Sequence, residues 1–294
     1  METGDPDDLI TLLLLLSNPD VQLRGVTCWQ GSPIQIGLIH HVLKLANLKN
    51  DIPVGGLNES EPKELSPYYS SVVGKWSSKL SEQTPTEVFK QILKYYPDTK
   101  FLTGAPLTNI AQFVTTNPEV ITNMTTQGGY LGDLVSNPLS KFKGKKSIRT
   151  YNLTNDTDAF TKVNESENIK KITFVTKDLC HGFMYTPDIH KSIVFGDTPI
   201  QQLLKSCLSH YASAQKSKAM HDPLAMLYML YPEIGQELPI HMSFRLDEKG
   251  HSVFSSIEAD KQHNRFGLIT YDKEKAWSKF IGLCQIQHKN KLKI

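Results

Sequence analysis

The chain is poor in the features that would fix its class at once. Its four cysteines, Cys28, Cys180, Cys207 and Cys284, lie far apart and form no CxxC pair. That spacing argues against a thiolate zinc site or a disulfide scaffold and predicts a reducing compartment. The leucine run Leu9–Leu16 is too short to span a bilayer. Acids precede it, not the basic residues that open a signal peptide. Neither sign of charge dominates: the formal net charge is +2, so nothing demands nucleic acid or an acidic membrane. The basic run Lys141–Arg149 has one aromatic and no basic helix to extend it, and reads as a solvated loop. A glycine-rich phosphate loop is missing, as is any obvious Lys or Arg beside the motifs below, which disfavours a phosphatase. Five Asn-x-Ser/Thr sequons, beginning at Asn58, Asn123, Asn152, Asn155 and Asn164, read as chance matches in an Asn-rich chain without a secretory signal. These absences describe a cytoplasmic protein with no nucleic-acid or membrane partner.

What remains is an ordinary globular composition, 39% hydrophobic and 21% charged over 294 residues. Strand-like and helix-like segments alternate. Leu9–Leu16 reads as a buried helix, Val21–Trp29 as a strand and Ile34–Leu48 as a helix with apolar residues at helical spacing; Ile52–Gly56 suggests a short strand. After an irregular polar stretch, Asn58 to about Gln83, come helix Thr86–Tyr96, strand Lys100–Thr103, helix Leu107–Thr115 and a strand near Val120–Met124. Helix Asp156–Val163, strand Lys171–Val175 and helices Ile200–Ala214 and Pro223–Leu230 follow. The pattern then changes: Ile240–Leu246 and Val253–Ala259 flank a turn at Asp247–Gly250, a hairpin signal, and strand Phe266–Tyr271 and helix Lys273–Cys284 close the chain. Repeated βα units predict an α/β fold: a mostly parallel, open Rossmann-like sheet with helices on both faces and a small late antiparallel addition. With no repeat and no linker, residues 1–294 are expected to form a single domain.

The polar motifs fall at strand ends, where ligands bind in such sheets. Asp5-Pro6-Asp7-Asp8 sets three carboxylates within four residues before an apolar helix. They repel one another unless a cation lies between them, and their oxygens suit a hard one. An acidic N-cap on a buried helix is the plainer reading of that motif alone. Gln30-Gly31-Ser32, Gly104–Asn109, Gly128-Gly129, Asp178 with His181, and His221-Asp222-Pro223 follow at later ends. Together they predict one crevice.

In order, these motifs resemble the inosine/uridine-preferring nucleoside hydrolase family. The resemblance rests on the acidic turn before an apolar helix, Pro106-Leu107-Thr108-Asn109 after Gly104, Gly128-Gly129, Tyr151-Asn152 with Asp156, and His221-Asp222-Pro223, from about residue 2 to 225. It implies a calcium-dependent enzyme that splits the N-glycosidic bond of ribonucleosides or related N-ribosides, using a calcium-bound water. The implied metal ligands are Asp5, Asp8, Asp222 and a carbonyl of the Thr103-Gly104 turn, most simply that of Gly104. Asp7, Asn152 and Asp222 would hold the ribose. His221 would protonate or hydrogen-bond the departing base, and Asp5 would take a proton from the attacking water. A homo-oligomer, dimer or tetramer, is compatible with this.

Four positions depart from the family pattern. An ungapped alignment puts Thr3 where the water-activating Asp belongs, and a gapped one puts Asp5 there. Asp5 is favoured, because Thr is no base at neutral pH. Ser32 stands where an Asn is expected and keeps part of its hydrogen bonding. Thr150 stands where a Glu is expected, so recognition of the ribose 5′ end should relax. The loop between Gly129 and Asn152 has no clear Gly-Asn sugar contact. A binding protein that has lost turnover is therefore the alternative. Finally, only Met1, Glu2 and Thr3 precede Gly4, fewer than the about 4–6 residues of a buried central strand. That predicts an N-terminally shortened product, or one impaired in stability.

Overall fold

The computed structural model describes residues 1–48, 52–59, 65–213, 217–260 and 264–285. Helix α1 (Asp7–Ser17) leads to strand β1 (Val26–Thr27), α2 (Pro33–Leu45) and β2 (Val54–Gly55). Helices α3 (Tyr68–Val72) and α4 (Pro85–Tyr95) precede β3 (Lys100–Thr103), α5 (Thr108–Thr116) and β4 (Asn123–Gln127). Next come α6 (Tyr151–Thr154), α7 (Thr157–Glu165), β5 (Ile172–Val175), α8 (Lys177–Cys180), β6 (Met184–Tyr185) and α9 (Pro187–Lys191). The chain continues with α10 (Pro199–Ser213), β7 (Lys218–Ala219), α11 (His221–Leu230), β8 (Gly235–Leu246), β9 (Ser252–Glu258), β10 (Arg265–Tyr271) and α12 (Lys273–Gln285).

The main sheet has the order β3-β4-β5-β10-β8-β9. Its first four strands run parallel; β8 is antiparallel to β10, and β9 is antiparallel to β8. This is the mixed α/β architecture expected from the pattern, with the late hairpin as its antiparallel part. Every residue of β5 is buried, as a parallel strand covered on both faces requires. Helix α1 packs against α10 and α11, so its leucines are core despite their place near the start.

Three expectations shift. The β4 strand lies at Asn123–Gln127, later than hydropathy placed it, because Thr125 and Thr126 are buried by pairing and not by apolarity. Of the expected strand Val21–Trp29 only Val26–Thr27 is regular. The short pair β6–β7 escaped pattern reading altogether: Met184 pairs with Ala219 and Tyr185 with Lys218.

β1 and β2 pair parallel with each other and form a sheet apart from β3. A cleft of about 710 Å³ separates them, lined by Val26, Thr27, Phe89, Ile92 and Phe101 and by Leu12 and Leu15 of α1. Met1 stands at its end. Its amino group donates to Thr27 O (2.9 Å) and its carbonyl accepts from Trp29 N (2.9 Å), the pattern of one parallel-strand residue beside Cys28. From there the chain turns through Gly4 into α1.

Candidate active site

Two helix N-termini meet at the carboxyl ends of the parallel strands. Asp7 and Asp8 open α1, and His221 and Asp222 open α11. Asp7 joins them: its Oδ2 accepts from the backbone N–H of His221 (2.9 Å) and of Asp222 (3.3 Å). The positive ends of both helices thus face the carboxylates. Gly104 closes the floor. A β-carbon there would lie 2.3 Å from Asp222 Oδ1, so only glycine lets the end of β3 approach this carboxylate.

Carboxylate oxygens of Asp7, Asp8 and Asp222 lie within 4.8 Å of one another, and all three residues are buried. Burial, then repulsion from Asp222, pushes the Asp7 and Asp8 carboxyls well above their ordinary range. Burial, then Asp5 and Glu2, raises Asp222 to about 7. Asp8 Oδ1 accepts from Glu2 N (2.8 Å), whereas its Oδ2 is buried without a hydrogen-bond partner. An orphaned buried carboxylate oxygen beside two further carboxylates is costly unless a cation sits among them. The donor set is oxygen only, which fits a hard divalent ion such as calcium.

Above this floor lies a cavity of about 280 Å³, lined among others by Glu2, Asp5, Asp7, Asp8, Gly104, Thr150, Asn152, His221 and Asp222. Sequence reasoning named all of these except Glu2. Asn152 donates through Nδ2 to Gln127 O (3.1 Å) and Oε1 (2.9 Å), which orients its amide. Ser32 does not line the cavity. It is the buried N-cap of α2, bonded to Gln35, whose amide donates to Thr3 Oγ1 (2.8 Å). Thr150 does line it, and its Oγ1 accepts from Gly129 N (3.4 Å). Asp178 is taken up by the fold, its Oδ2 accepting from Gly132 N (2.8 Å).

Asp5 lies with Asp7 and His221, outside the buried trio. Lys218 Nζ sits 2.6 Å from Asp5 Oδ2 and 3.8 Å from Asp7 Oδ1. Burial raises the Asp5 carboxyl, but the Asp7 hydrogen bond and Lys218 outweigh it and hold Asp5 below its ordinary value. A lysine therefore does stand beside the motifs, brought there by the β6–β7 pair. Its only sequence signal was a place three residues before His221. Glu2 was missed as well: it is buried, takes N–H bonds from Gly4 and Asp5, and burial raises its carboxyl. In the sequence it stands three residues before Asp5, outside the Asp5–Asp8 knot. His221 has a buried Nε2 without a partner, and burial, then Lys218 and His181, press its pKa down to about 3. It is a neutral imidazole near pH 7, able to hydrogen-bond a ligand nitrogen or oxygen.

The chain is similar to known proteins in sequence and in fold. The pyrimidine-specific ribonucleoside hydrolase RihA of Klebsiella pneumoniae (strain 342) is 25% identical over 253 residues, covering 78% of this chain and 77% of that protein. The RihA of Enterobacter sp. (strain 638) is 26% identical over the same length and shares. Among solved structures, the plant nucleoside hydrolase PpNRh1 superposes with a TM-score of 0.74 at 16% identity, over 97% of this chain and 98% of that one. The inosine-uridine preferring nucleoside hydrolase of Bacillus anthracis gives 0.70 at 18% identity, over 97% of each chain. The family model described as inosine-uridine preferring nucleoside hydrolase matches residues 2–278. With the acidic cluster at the strand ends and a match over nearly its whole length, the chain belongs to the inosine-uridine preferring nucleoside hydrolase family.

Proposed function

We propose that this protein hydrolyses the N-glycosidic bond of ribonucleosides in the 280 Å³ cavity, with Ca²⁺ held among Asp7, Asp8, Asp222 and the Gly104 carbonyl. The observation that carries the reading is the buried Asp7–Asp8–Asp222 trio, with its partnerless Asp8 Oδ2, beneath a cavity of this size. Held there, Ca²⁺ would supply Lewis acidity and a positive charge for the ribose diol. Asp5, to which the family resemblance gave the roles of ligand and base, is paired with Lys218 and borders the site from the side.

Bond breaking builds positive charge on the sugar, and the surrounding carboxylates stabilise that charge. Asp5 and Glu2 are the cavity carboxylates outside the trio. Asp5 is paired with Lys218 and Glu2 accepts from Gly4 N and Asp5 N, and one of these two carboxylates takes the proton from the attacking water. Asn152 holds a ribose hydroxyl, and His221 Nε2 hydrogen-bonds the departing base. Among the described residues no helix is long and apolar enough to cross a membrane; with its four free buried cysteines, the protein is assigned to the cytoplasm.

A non-catalytic binding protein is the less supported alternative, since the carboxylates and the imidazole all reach one cavity. The test is release of reducing sugar across a nucleoside panel with and without a calcium chelator. Release that the chelator abolishes and Ca²⁺ restores is expected. No release from any nucleoside in excess Ca²⁺ would sink the proposal.

A further inference from the structure

The basic run that reads as a solvated loop has both its ends beside the active-site cavity. At one end, Lys141 Nζ lies 2.9 Å from His181 Nδ1, and the His181 ring lies 5.2 Å from that of His221. At the other, the carbonyl of Arg149 accepts from Lys177 Nζ (3.4 Å). Lys177 itself lines the cavity, next to Thr150 and Tyr151. Gly129 ties the two together: its N–H donates to Thr150 Oγ1 and its carbonyl accepts from Lys177 N (3.2 Å). Among the described residues, Lys141, Arg149 and Lys177 form no ion pair with a carboxylate.

One cavity of about 280 Å³ therefore touches two opposite kinds of charge. Its floor is carboxylate and calls for a cation with a diol. Its Thr150 wall carries an uncompensated ammonium, with a guanidinium-bearing residue next to it in space and a second lysine near. Burial, then repulsion from Lys141 and Arg149, also lowers the Lys177 pKa, as expected where an anion is wanted and none is built in. A nucleoside offers that wall only its neutral 5′-hydroxyl. A nucleoside bearing a phosphate on its 5′ carbon does.

We propose that Lys177, with Arg149 and Lys141, forms an anion subsite and that the preferred substrates are nucleoside 5′-monophosphates, with the ribose diol toward the carboxylates and the phosphate toward Lys177. This rests on the hydrolase reading above. The reaction breaks the C1′–N bond and forms a C1′–O bond to water. One water proton stays on the new C1′ hydroxyl; the other leaves to a carboxylate and is passed on to the departing base, so the products are the free base and ribose 5-phosphate. Position 150 agrees. A glutamate there, as the family pattern expects, would repel a phosphate, whereas a threonine hydroxyl does not. Lysine and arginine are the natural phosphate partners, arginine through its planar fork.

Two measurements on the full chain with Ca²⁺ decide the matter. The first is kcat/KM for uridine and inosine against their 5′-monophosphates. The wild type should favour the monophosphates at least tenfold, and the preference should fall at least tenfold in Lys177→Ala and in the exposed-site variant Arg149→Ala. A wild type that favours the nucleosides, or a preference that both variants leave intact, overturns the subsite. The second is calorimetric binding of ribose 5-phosphate and of ribose, which needs no turnover. Ribose 5-phosphate should bind at least tenfold tighter, and raised salt should reduce the difference. Equal binding refutes the subsite even if nucleosides are hydrolysed. Tight binding of ribose 5-phosphate with no hydrolysis of any substrate would uphold the subsite and refute the hydrolase reading.

Discussion

Replacing Asp222 with asparagine should stabilise the metal-free protein while destroying its response to calcium. Asp222 rises from the ordinary 3.8 to about 7 through burial and the nearby carboxylates Asp5 and Glu2. An acid whose folded-state pKa is raised holds its proton more tightly in the folded chain. Its contribution is fully present below about 4 and is lost as pH climbs through 7. The rise is about three units, and at about 1.4 kcal/mol per unit the ionised carboxylate costs the metal-free fold up to roughly 4 kcal/mol at pH 8. For a chain of this size a gain of that order raises Tm by about 4–8 °C. At pH 5 wild-type Asp222 is already protonated in the fold, so the gain should fall to less than half. Ca²⁺ should close most of the gap at pH 8: it stabilises the wild type by about 2.7 kcal/mol at a hundred times Kd and about 4.1 at a thousand times Kd, but the asparagine variant little. Scanning calorimetry in chelator and in Ca²⁺, at pH 5 and pH 8, reads all four values. A variant no more stable than wild type at pH 8 in chelator, or one whose Tm still climbs with Ca²⁺, would refute the reasoning.

Three further outcomes are expected. His221→Ala should lower kcat/KM for inosine by about a hundredfold or more and for a nitrophenyl riboside by less than tenfold, because a good leaving group needs no hydrogen bond; equal losses on both would assign the histidine a structural role. Because the Thr150 hydroxyl is engaged by Gly129 N and no carboxylate stands at that position, 5′-deoxynucleosides should be hydrolysed within about tenfold of the parent compounds, and a loss of about a thousandfold would show a buried partner for the 5′-hydroxyl. A fused Val-Ile-Val-Val segment ahead of Met1 can continue the ladder that Met1 begins beside Cys28 and fill the cleft between β1 and β3. It should raise Tm by several degrees where a Gly-Ser segment of equal length does not, and identical melting of the two fusions would show that the cleft accepts no strand.

Local pattern determined much of this protein. Alternating periods set the α/β class, and β3 at Lys100–Thr103 and the late hairpin stand where periodicity placed them. Short motifs at strand ends picked out Asp7, Asp8, Gly104, His221 and Asp222, and the family resemblance added Asn152; all six line one cavity. Tertiary structure decided what depends on contacts between distant segments. Thr125 and Thr126 become core only through their parallel neighbours on β3 and β5. Lys218 reaches Asp5 across more than two hundred residues because a two-residue strand pairs with β6. Glu2 joins the site because Met1 anchors on Thr27 and Trp29, and Ser32 leaves it because its side chain caps α2. A sequence states which charges exist. Only the fold decides which of them share one desolvated cavity, and there distance and burial set every charge interaction.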